Sequence, residues 1–112
     1  ALLGAVRGGD IGKLFPDTDP AYKDADSLKL LAEVARFVRD QGFQIIDVDS
    51  VIAAQAPKLS PYREAMRENL AAAMALPVEN VGVKATTTEH LGHEGREEGI
   101  TAYATCLVCR AG

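Results

Sequence analysis

The chain has 112 residues, of which 47% are hydrophobic and 25% charged, and it carries a formal net charge of -4. The length allows one domain at most, and the composition is ordinary for a soluble globular protein. The net negative charge gives no reason to expect nucleic acid or an anionic membrane as a partner, no apolar run approaches membrane-spanning length, and the first seven residues do not resemble a signal peptide.

The first half of the chain predicts two helices around a polar loop. Residues 1–6 resemble the end of a helix that Gly8 and Gly9 terminate. Residues 10–26 form a predicted loop, in which Asp24 or Asp26 can cap the next helix. That helix is predicted over residues 27–41, with Gly42 as its end. Its apolar face has the i, i+3, i+4, i+7 spacing and comprises Leu31, Val34, Ala35 and Val38.

The second half of the chain predicts strands alternating with one more helix. Residues 43–54 are predicted as a strand because of their β-branched content. Strict alternation places Ile46, Val48, Ser50 and Ile52 on one face and Ile45, Asp47, Asp49 and Val51 on the other. A helix over residues 61–76 follows, with short strands over 81–85 and 100–108. The predicted buried residues of this helix are Ala65, Met66, Leu70, Ala73 and Met74. This order favours an α/β sandwich with helices packed on a sheet.

The two cysteines form a C-x-x-C spacing inside the last predicted strand. Positions three apart on a strand point to opposite faces, so Cys106 and Cys109 are poorly placed to share a metal ion or a disulfide. We expect both to be structural, reduced thiols.

Two polar connections have both a structural and a functional interpretation. The stretch "DIGKLFPDTDP" (residues 10–20) is either a turn-rich solvated loop or a carboxylate loop that accepts hydrogen bonds from substrate hydroxyls. The stretch "AAQAPKLSP" (residues 53–61) is either a plain strand-to-helix connection or a backbone-lined pocket. In the second interpretation the small alanines admit a flat ring, and Lys58 meets a phosphate.

The third polar connection, "KATTTEHLG" (residues 84–92), is the most unusual. Threonine hydroxyls and backbone amides can donate to phosphate oxygens, and Glu89 can hold Mg²⁺. Thr86 and Glu89 also fit the S/T-x-x-E capping box that begins a helix, and the two interpretations are compatible. His90 and His93, three residues apart, suggest a metal site more weakly, since further ligands are lacking nearby.

Taken together, these stretches resemble one enzyme family. In order and spacing, "DIGKLFPDTDP", "AQAPKL", "VKATTTEHLG" and "GREEGI" closely resemble the 2-C-methyl-D-erythritol 2,4-cyclodiphosphate synthases of the non-mevalonate isoprenoid pathway. The resemblance extends over the whole chain, and its motifs are long and specific.

The resemblance implies a lyase and a defined assembly. The fold would have helices packed on one face of a mixed β-sheet, in a homotrimer with the sheets around the three-fold axis and active sites between subunits. The substrate would be 4-diphosphocytidyl-2-C-methyl-D-erythritol 2-phosphate, which the enzyme cyclises with release of CMP. A zinc ion and a Mg²⁺ or Mn²⁺ ion would orient the phosphates. Neither nucleic acid nor a membrane would be a partner.

The resemblance also implies roles for individual residues. The loop for the methylerythritol phosphate portion would comprise Asp10, Ile11, Gly12, Phe15, Pro16, Asp17, Thr18 and Asp19. The segment around cytosine and ribose, contributed by the adjacent subunit, would comprise Ala54, Gln55, Ala56, Pro57, Lys58, Leu59 and Ser60. The diphosphate would contact Thr86, Thr87 and Thr88, with Thr87 supporting the transition state, and Glu89 would bind Mg²⁺ or Mn²⁺. Arg96 would line a cavity on the three-fold axis that can hold an isoprenoid diphosphate. His93 would be a further substrate-binding residue, at a place that is often Phe in relatives.

One family feature has no counterpart in this sequence. The zinc ligands of the family, an Asp-x-His and a helical His, would precede Ala1, so residues 1–112 would be the C-terminal part of a subunit, without the N-terminal strand, the hairpin and the start of the first helix. We therefore expect an intact enzyme in the cell and an inactive chain as it stands. The alternatives are a fragment or a trimeric binding scaffold that retains cytidine-nucleotide or isoprenoid-diphosphate binding. The expected location is the bacterial cytoplasm, or the plastid in a plant or alga.

Overall fold

A computed structural model describes residues 1–16 and 26–111. Five helices and three strands are present in this part of the chain. In order they are α1 (Leu2–Ala5), α2 (Ile11–Leu14), α3 (Ser27–Asp40), β1 (Phe43–Ala53), α4 (Arg63–Met74), β2 (Val81–Thr86), α5 (Gly92–Gly95) and β3 (Thr101–Arg110). Single 3₁₀ turns, Ser60–Tyr62 and Val78–Asn80, precede α4 and β2.

The three strands form one mixed sheet in the order β2-β1-β3. The central strand β1 runs parallel to β2 and antiparallel to β3. Helices α3 and α4 contact each other and lie against β1 and β2. Side chains of β3 alternate between the two faces of the sheet. Cys106 and Val108 pack against the core, whereas Tyr103 and Leu107 are 63% and 60% exposed. The predicted α/β architecture, with helices on one face of a mixed sheet, is confirmed.

Helix α3 contributes the centre of the core. The Asp26 carboxylate caps it by accepting a hydrogen bond of 2.8 Å from the Leu28 amide. Val34, Ala35 and Val38 are buried, as their helical spacing predicts, and fully burying a valine contributes about 1.5–3 kcal/mol. Leu31, the fourth predicted member, is half-buried against the same cluster.

Helix α4 differs from the prediction at its start and on its buried face. A 3₁₀ turn occupies Ser60–Tyr62, so the α-helix begins at Arg63. Met74 is buried as predicted, but Ala65 is exposed, and Ala71 is buried instead. At 3.6 residues per turn, Ala65 lies about 180° around the helix axis from Met74, so both cannot face the core.

A β-bulge in β1 overturns the predicted division of its faces. Ile45 pairs with Val108 and Asp47 with Leu107, which leaves Ile46 unpaired. Ile45 and Val48 therefore both face the core, although strict alternation places them on opposite sides. The Asn80 side-chain amide donates to the Ile46 carbonyl at 3.1 Å, so the carbonyl of the bulged residue has a hydrogen-bond partner.

The N-terminal region contains a helical turn where the sequence predicts only a loop. The Asp10 carboxylate accepts a hydrogen bond of 2.8 Å from the Lys13 amide and begins α2. Leu2, Leu3 and Phe15 join the core. Within the described residues, no helix has both the length and the apolar character needed to cross a membrane.

Candidate active site

The ends of β1 and β2 bring two of the three polar connections together. The last pair of the parallel register is Ala53 with Thr86, and the Ala54 amide then donates to the Thr86 carbonyl at 3.0 Å. Neighbouring parallel strands end at the same edge of a sheet. The connections that follow them, residues 54–60 and 87–92, therefore leave the sheet side by side.

A cavity of about 380 Å³ lies between these two connections. Its lining residues are Ala54, Gln55, Pro57, Lys58, Leu59, Ser60, Ala85, Thr86 and Thr87. The volume falls within the range of small-molecule sites, roughly 300–1,000 Å³. Ala85 is the one lining residue that is not a predicted site residue. Its position just before the threonines, in the neighbouring strand, is the signal that indicates it.

The hydrogen bonds of the three threonines separate their roles. The Thr86 hydroxyl donates to the Thr87 carbonyl at 3.0 Å, and the Thr88 hydroxyl donates to the Leu91 carbonyl. The Thr87 hydroxyl instead accepts from the Glu89 amide at 3.4 Å. Since a hydroxyl has one proton, Thr87 alone among the three keeps a free O–H donor within the described part of the chain.

The chain turns sharply after the threonines. Glu89 and His90 have φ angles of 54° and 67°, a left-handed conformation that costs a non-glycine residue about 1–2 kcal/mol. The His90 amide donates to Oε1 of Gln55 at 3.0 Å, across the cavity edge. Helix α5 begins only at Gly92, with Leu91 as a cap residue that provides no side-chain hydrogen bond. The capping-box interpretation of Thr86 and Glu89 is therefore wrong.

Glycine is required at position 95 to bring α5 against this turn. A Cβ atom at Gly95 would lie 2.1 Å from the backbone carbon of His90. No side chain fits at that distance, so Gly95 sets the close packing of α5 on the loop.

A small network of polar side chains joins α5 to β3. The Thr101 hydroxyl donates to Oε2 of Glu94 at 2.8 Å, and Nε2 of His93 lies 3.1 Å from the same hydroxyl. A hydrogen bond from its own backbone amide, together with that of Thr101, lowers the pKa of Glu94 below its ordinary value. Arg96 forms a salt bridge with Glu98 at 2.6 Å.

The loop that follows the lining residue Thr87 carries a carboxylate suited to a divalent ion, that of Glu89. The Glu89 carboxylate is exposed and has no hydrogen-bond or ion-pair partner among the described residues. Mg²⁺ is commonly held by one or two carboxylates together with substrate phosphates, so this residue fits such an ion. Over residues 1–16 and 26–111, no three His, Cys, Asp or Glu side chains come together as a metal-binding group.

The described part of the first polar connection, residues 10–16, does not line the cavity. Asp10 caps α2, Ile11 is 55% exposed, and the Phe15 side chain is buried in the core. None of the cavity's lining residues belongs to the described residues 10–16. Asp17, Thr18 and Asp19, three predicted site residues, lie outside the described residues.

The structure contains a second, charged cavity that the sequence does not predict. It has a volume of about 420 Å³ and lies beside β2. Its lining residues are Asp47, Asp49, Arg63, Glu64, Arg67, Glu79, Val81, Gly82 and Val83. The Arg67 guanidinium donates to the Val81 and Val78 carbonyls at 2.6 and 3.0 Å, so this residue links α4 to the base of β2. The exposed Asp47 and Asp49 on β1 are the sequence signal for this cavity.

The two cysteines do not form a bond. Cys106 is half-buried against the core, and Cys109 is exposed, with its sulfur 3.6 Å from Oε1 of Gln44. Both thiols are free, and the structural role of the two cysteines stays a prediction.

The sequence and the structure both resemble proteins of known activity. The sequence profile of the YgbB family matches residues 1–109. The 2-C-methyl-D-erythritol 2,4-cyclodiphosphate synthase of Thioalkalivibrio sulfidiphilus is 57% identical over 108 residues, which cover 96% of this chain and 68% of the relative. This chain thus spans about two thirds of that curated relative's length.

Two solved structures have the same fold. The bifunctional IspDF of Campylobacter jejuni has a TM-score of 0.91 at 44% identity, over 96% of this chain and 29% of that one. A CDP complex of IspF from Plasmodium falciparum has a TM-score of 0.84 at 28% identity, over 99% of this chain and 66% of that one. The chain therefore belongs to the YgbB family, in which its curated relatives are 2-C-methyl-D-erythritol 2,4-cyclodiphosphate synthases.

Proposed function

We propose that this chain carries the nucleotide and diphosphate site of a cyclodiphosphate synthase. The single observation that supports this most is the cavity in which residues 54–60 meet Thr86 and Thr87. One wall offers backbone groups and small side chains to a flat base, and the other offers hydroxyls and amides to phosphate oxygens. The CDP complex of the P. falciparum relative supports a cytidine nucleotide as the ligand class.

The proposed reaction closes a ring within 4-diphosphocytidyl-2-C-methyl-D-erythritol 2-phosphate. An oxygen of the 2-phosphate attacks the β-phosphorus of the diphosphate and forms a new P–O bond. The bond from that phosphorus to the oxygen bridging it to the cytidylate breaks, and CMP leaves with the bonding pair. The protein orients the two phosphates and stabilises the charge that develops on their oxygens.

Thr87 and Lys58 have separate parts in this proposal. The free O–H of Thr87 donates to an oxygen of the reacting phosphorus, where the transition state gains charge. Lys58 lines the opposite wall and supplies a positive point charge to the cytidylate phosphate.

Metal dependence is consistent with the family. Glu89 would hold Mg²⁺ or Mn²⁺ beside the diphosphate, and such an ion would neutralise phosphate charge. The described residues do not fit a zinc site, so no step is derived through zinc.

The proposed homotrimer gives the first polar connection, residues 10–20, a place in the site. Ile100, Tyr103 and Leu107 are each about 60% exposed on the last strand and its approach, which is typical of a surface that associates. The family resemblance implies that residues 54–60 and residues 10–19 at one site come from different subunits. Because one chain brings residues 54–60 next to Thr86, we place the subunit boundary between this cavity and residues 10–16. Those residues of one subunit would complete the cavity of the next.

The isoprenoid diphosphate expected in a cavity on the three-fold axis gains no support. Arg96 is paired with Glu98 at 2.6 Å, and polar contacts to Thr101 and Glu94 engage His93. An isoprenoid diphosphate is therefore not part of the proposal. The bacterial relatives fit the expected cytoplasmic location.

The test is CMP release from the true substrate. The intact protein as it occurs in the cell, supplied with Zn²⁺ and Mg²⁺, should release one CMP for each cyclic diphosphate formed, both quantified by chromatography. A chain that binds CDP by calorimetry yet releases no CMP would instead be the non-catalytic binding scaffold.

A further inference from the structure

Gln55 connects the two walls of the cavity. Among the described residues, its carboxamide makes the one side-chain hydrogen bond between residues 54–60 and 87–92, from the His90 amide to Oε1 at 3.0 Å. The backbone ladder between β1 and β2 ends just before it, with the Ala54 amide on the Thr86 carbonyl. Gln55 thus extends the pairing of the two strands by one further link into the loops.

The hydrogen bond from His90 to Gln55 is made at a turn with an unfavourable backbone conformation. His90 and Glu89 are consecutive left-handed residues, and neither is glycine. Such a conformation persists only where surrounding contacts determine it. His90 is exposed, so the turn is held through its backbone, which contacts Gly95 on one side and Gln55 on the other. Gln55 is half-buried in the cavity wall.

We propose that Gln55 is a positioning residue that holds the Glu89–His90 turn against the nucleotide wall. It acts through the loop backbone: the turn sets where the Glu89 carboxylate and the Thr87 hydroxyl point relative to residues 54–60. This proposal rests on the proposed function for the meaning of that geometry, but the hydrogen bond is testable without it.

The alternative is direct contact with the ligand. The Gln55 amide nitrogen has no partner among the described residues, and the side chain lines the cavity. Positioning needs the acceptor oxygen, whereas direct donation to a ligand needs the nitrogen. Gln55→Leu removes both, and Gln55→Glu keeps the oxygen and removes the donor. Gln41→Leu, an exposed site at the end of α3, is the matched control for the substitution itself.

The first measurement is hydrogen exchange at the His90 amide in the full, metal-loaded chain. Positioning predicts about 2- to 10-fold faster exchange in Gln55→Leu, from the worth of one neutral hydrogen bond. Gln55→Glu and Gln41→Leu should exchange like the parent chain. Unchanged exchange in Gln55→Leu overturns the proposal, whatever the catalytic activity.

The second measurement separates positioning from ligand contact. Gln55→Leu should lower kcat about 2- to 10-fold and raise the Mg²⁺ concentration for half-maximal rate by a similar factor, with CDP affinity nearly unchanged. Gln55→Glu should restore kcat. The comparison is made at saturating substrate, because the added negative charge can weaken substrate binding. Loss of CDP affinity in both variants, with normal Mg²⁺ response, would show direct contact instead.

The failure of the proposed function looks different. If the intact protein from the cell, with both metals, releases no CMP, the synthase assignment fails, while the His90 exchange result still decides whether Gln55 fixes the turn.

Discussion

The two ends of the connection between β2 and β3 are held by different chemistry. At the cavity end, residues 86–91 are fixed by backbone amides, threonine hydroxyls and the Gln55 carboxamide. At the other end, α5 and the start of β3 are joined through His93, Glu94 and Thr101, beside the Arg96–Glu98 pair. The groups that make the hydrogen bonds at the cavity end are all neutral, whereas most of the side chains that join α5 to β3 are titratable.

The two ends of this connection should therefore respond differently to pH and to salt. Neutral hydrogen bonds keep their geometry across pH and ionic strength, while exposed ion pairs contribute about 0–1 kcal/mol and are screened by salt. We therefore expect the threonine wall to hold its shape under conditions that loosen α5. Substitutions at Thr87 and Glu89 probe the cavity end, and a substitution at Glu94 tests whether the two ends are independent.

The largest effect is expected at Thr87. Thr87→Val keeps the shape of the side chain but removes the one threonine O–H that is free to reach a ligand. A hydrogen bond to a charged group contributes about 1.5–3 kcal/mol, so kcat should fall about 10- to 100-fold. CDP affinity should fall less, because the bond is strongest when charge develops on the reacting phosphorus. Steady-state kinetics and calorimetry measure the two quantities.

Thr87→Ser is the matched control, since it restores the hydroxyl and should recover most of the turnover. If Thr87→Val loses CDP affinity and kcat by the same factor, Thr87 binds the ground state and has no special part in the transition state.

A smaller effect is expected at Glu89. Glu89→Gln removes a carboxylate that has no partner among the described residues. The Mg²⁺ concentration for half-maximal rate should rise about tenfold, as expected for losing one charged ligand, worth about 1.4 kcal/mol. The thermal midpoint should stay the same, because no protein contact is lost. A variant that unfolds, or that responds normally to Mg²⁺, contradicts the assignment.

Local patterns predict the core well but miss what distant residues impose. The helical spacing of Val34, Ala35 and Val38 is enough to identify the buried face of α3. The carbonyl at the Ile46 bulge accepts a hydrogen bond from a side chain 34 residues away, that of Asn80, which no strand pattern contains. A one-residue bulge exchanges the two faces of a strand, so the alternation of β1 fails on one side of it.

The candidate site shows the same limit. Sequence motifs indicate residues 54–60 and the three threonines, and the parallel pairing of β1 with β2 explains why they meet. Three identical residues in a row cannot be ranked by composition, however. Only the hydrogen-bond partners of Thr86 and Thr88 leave Thr87 as the free donor. The bond from His90 to Gln55 likewise follows from strand register and has no local signature.

The smallest effect is expected at Glu94, and it depends on pH. The pKa of Glu94 is lowered in the folded chain by its backbone amide and by Thr101, so its contribution to stability is present above the ordinary value of 4.5. As the pH falls through the lowered pKa, the carboxylate is protonated and that contribution is lost. Glu94→Gln should therefore have a lower thermal midpoint than the parent chain at pH 6, and the difference should shrink steadily below about pH 4.5.

Calorimetry of both chains between pH 6 and pH 3 measures this difference, with Glu98→Gln as a control for removing one carboxylate from the same region. His90 amide exchange should remain equal in the parent chain and Glu94→Gln at pH 6, since neutral groups hold the turn. If Glu94→Gln speeds that exchange, the two ends of the loop are coupled through α5. The close contact of Gly95 with the His90 backbone would then be the route, because it is where α5 packs directly on the turn.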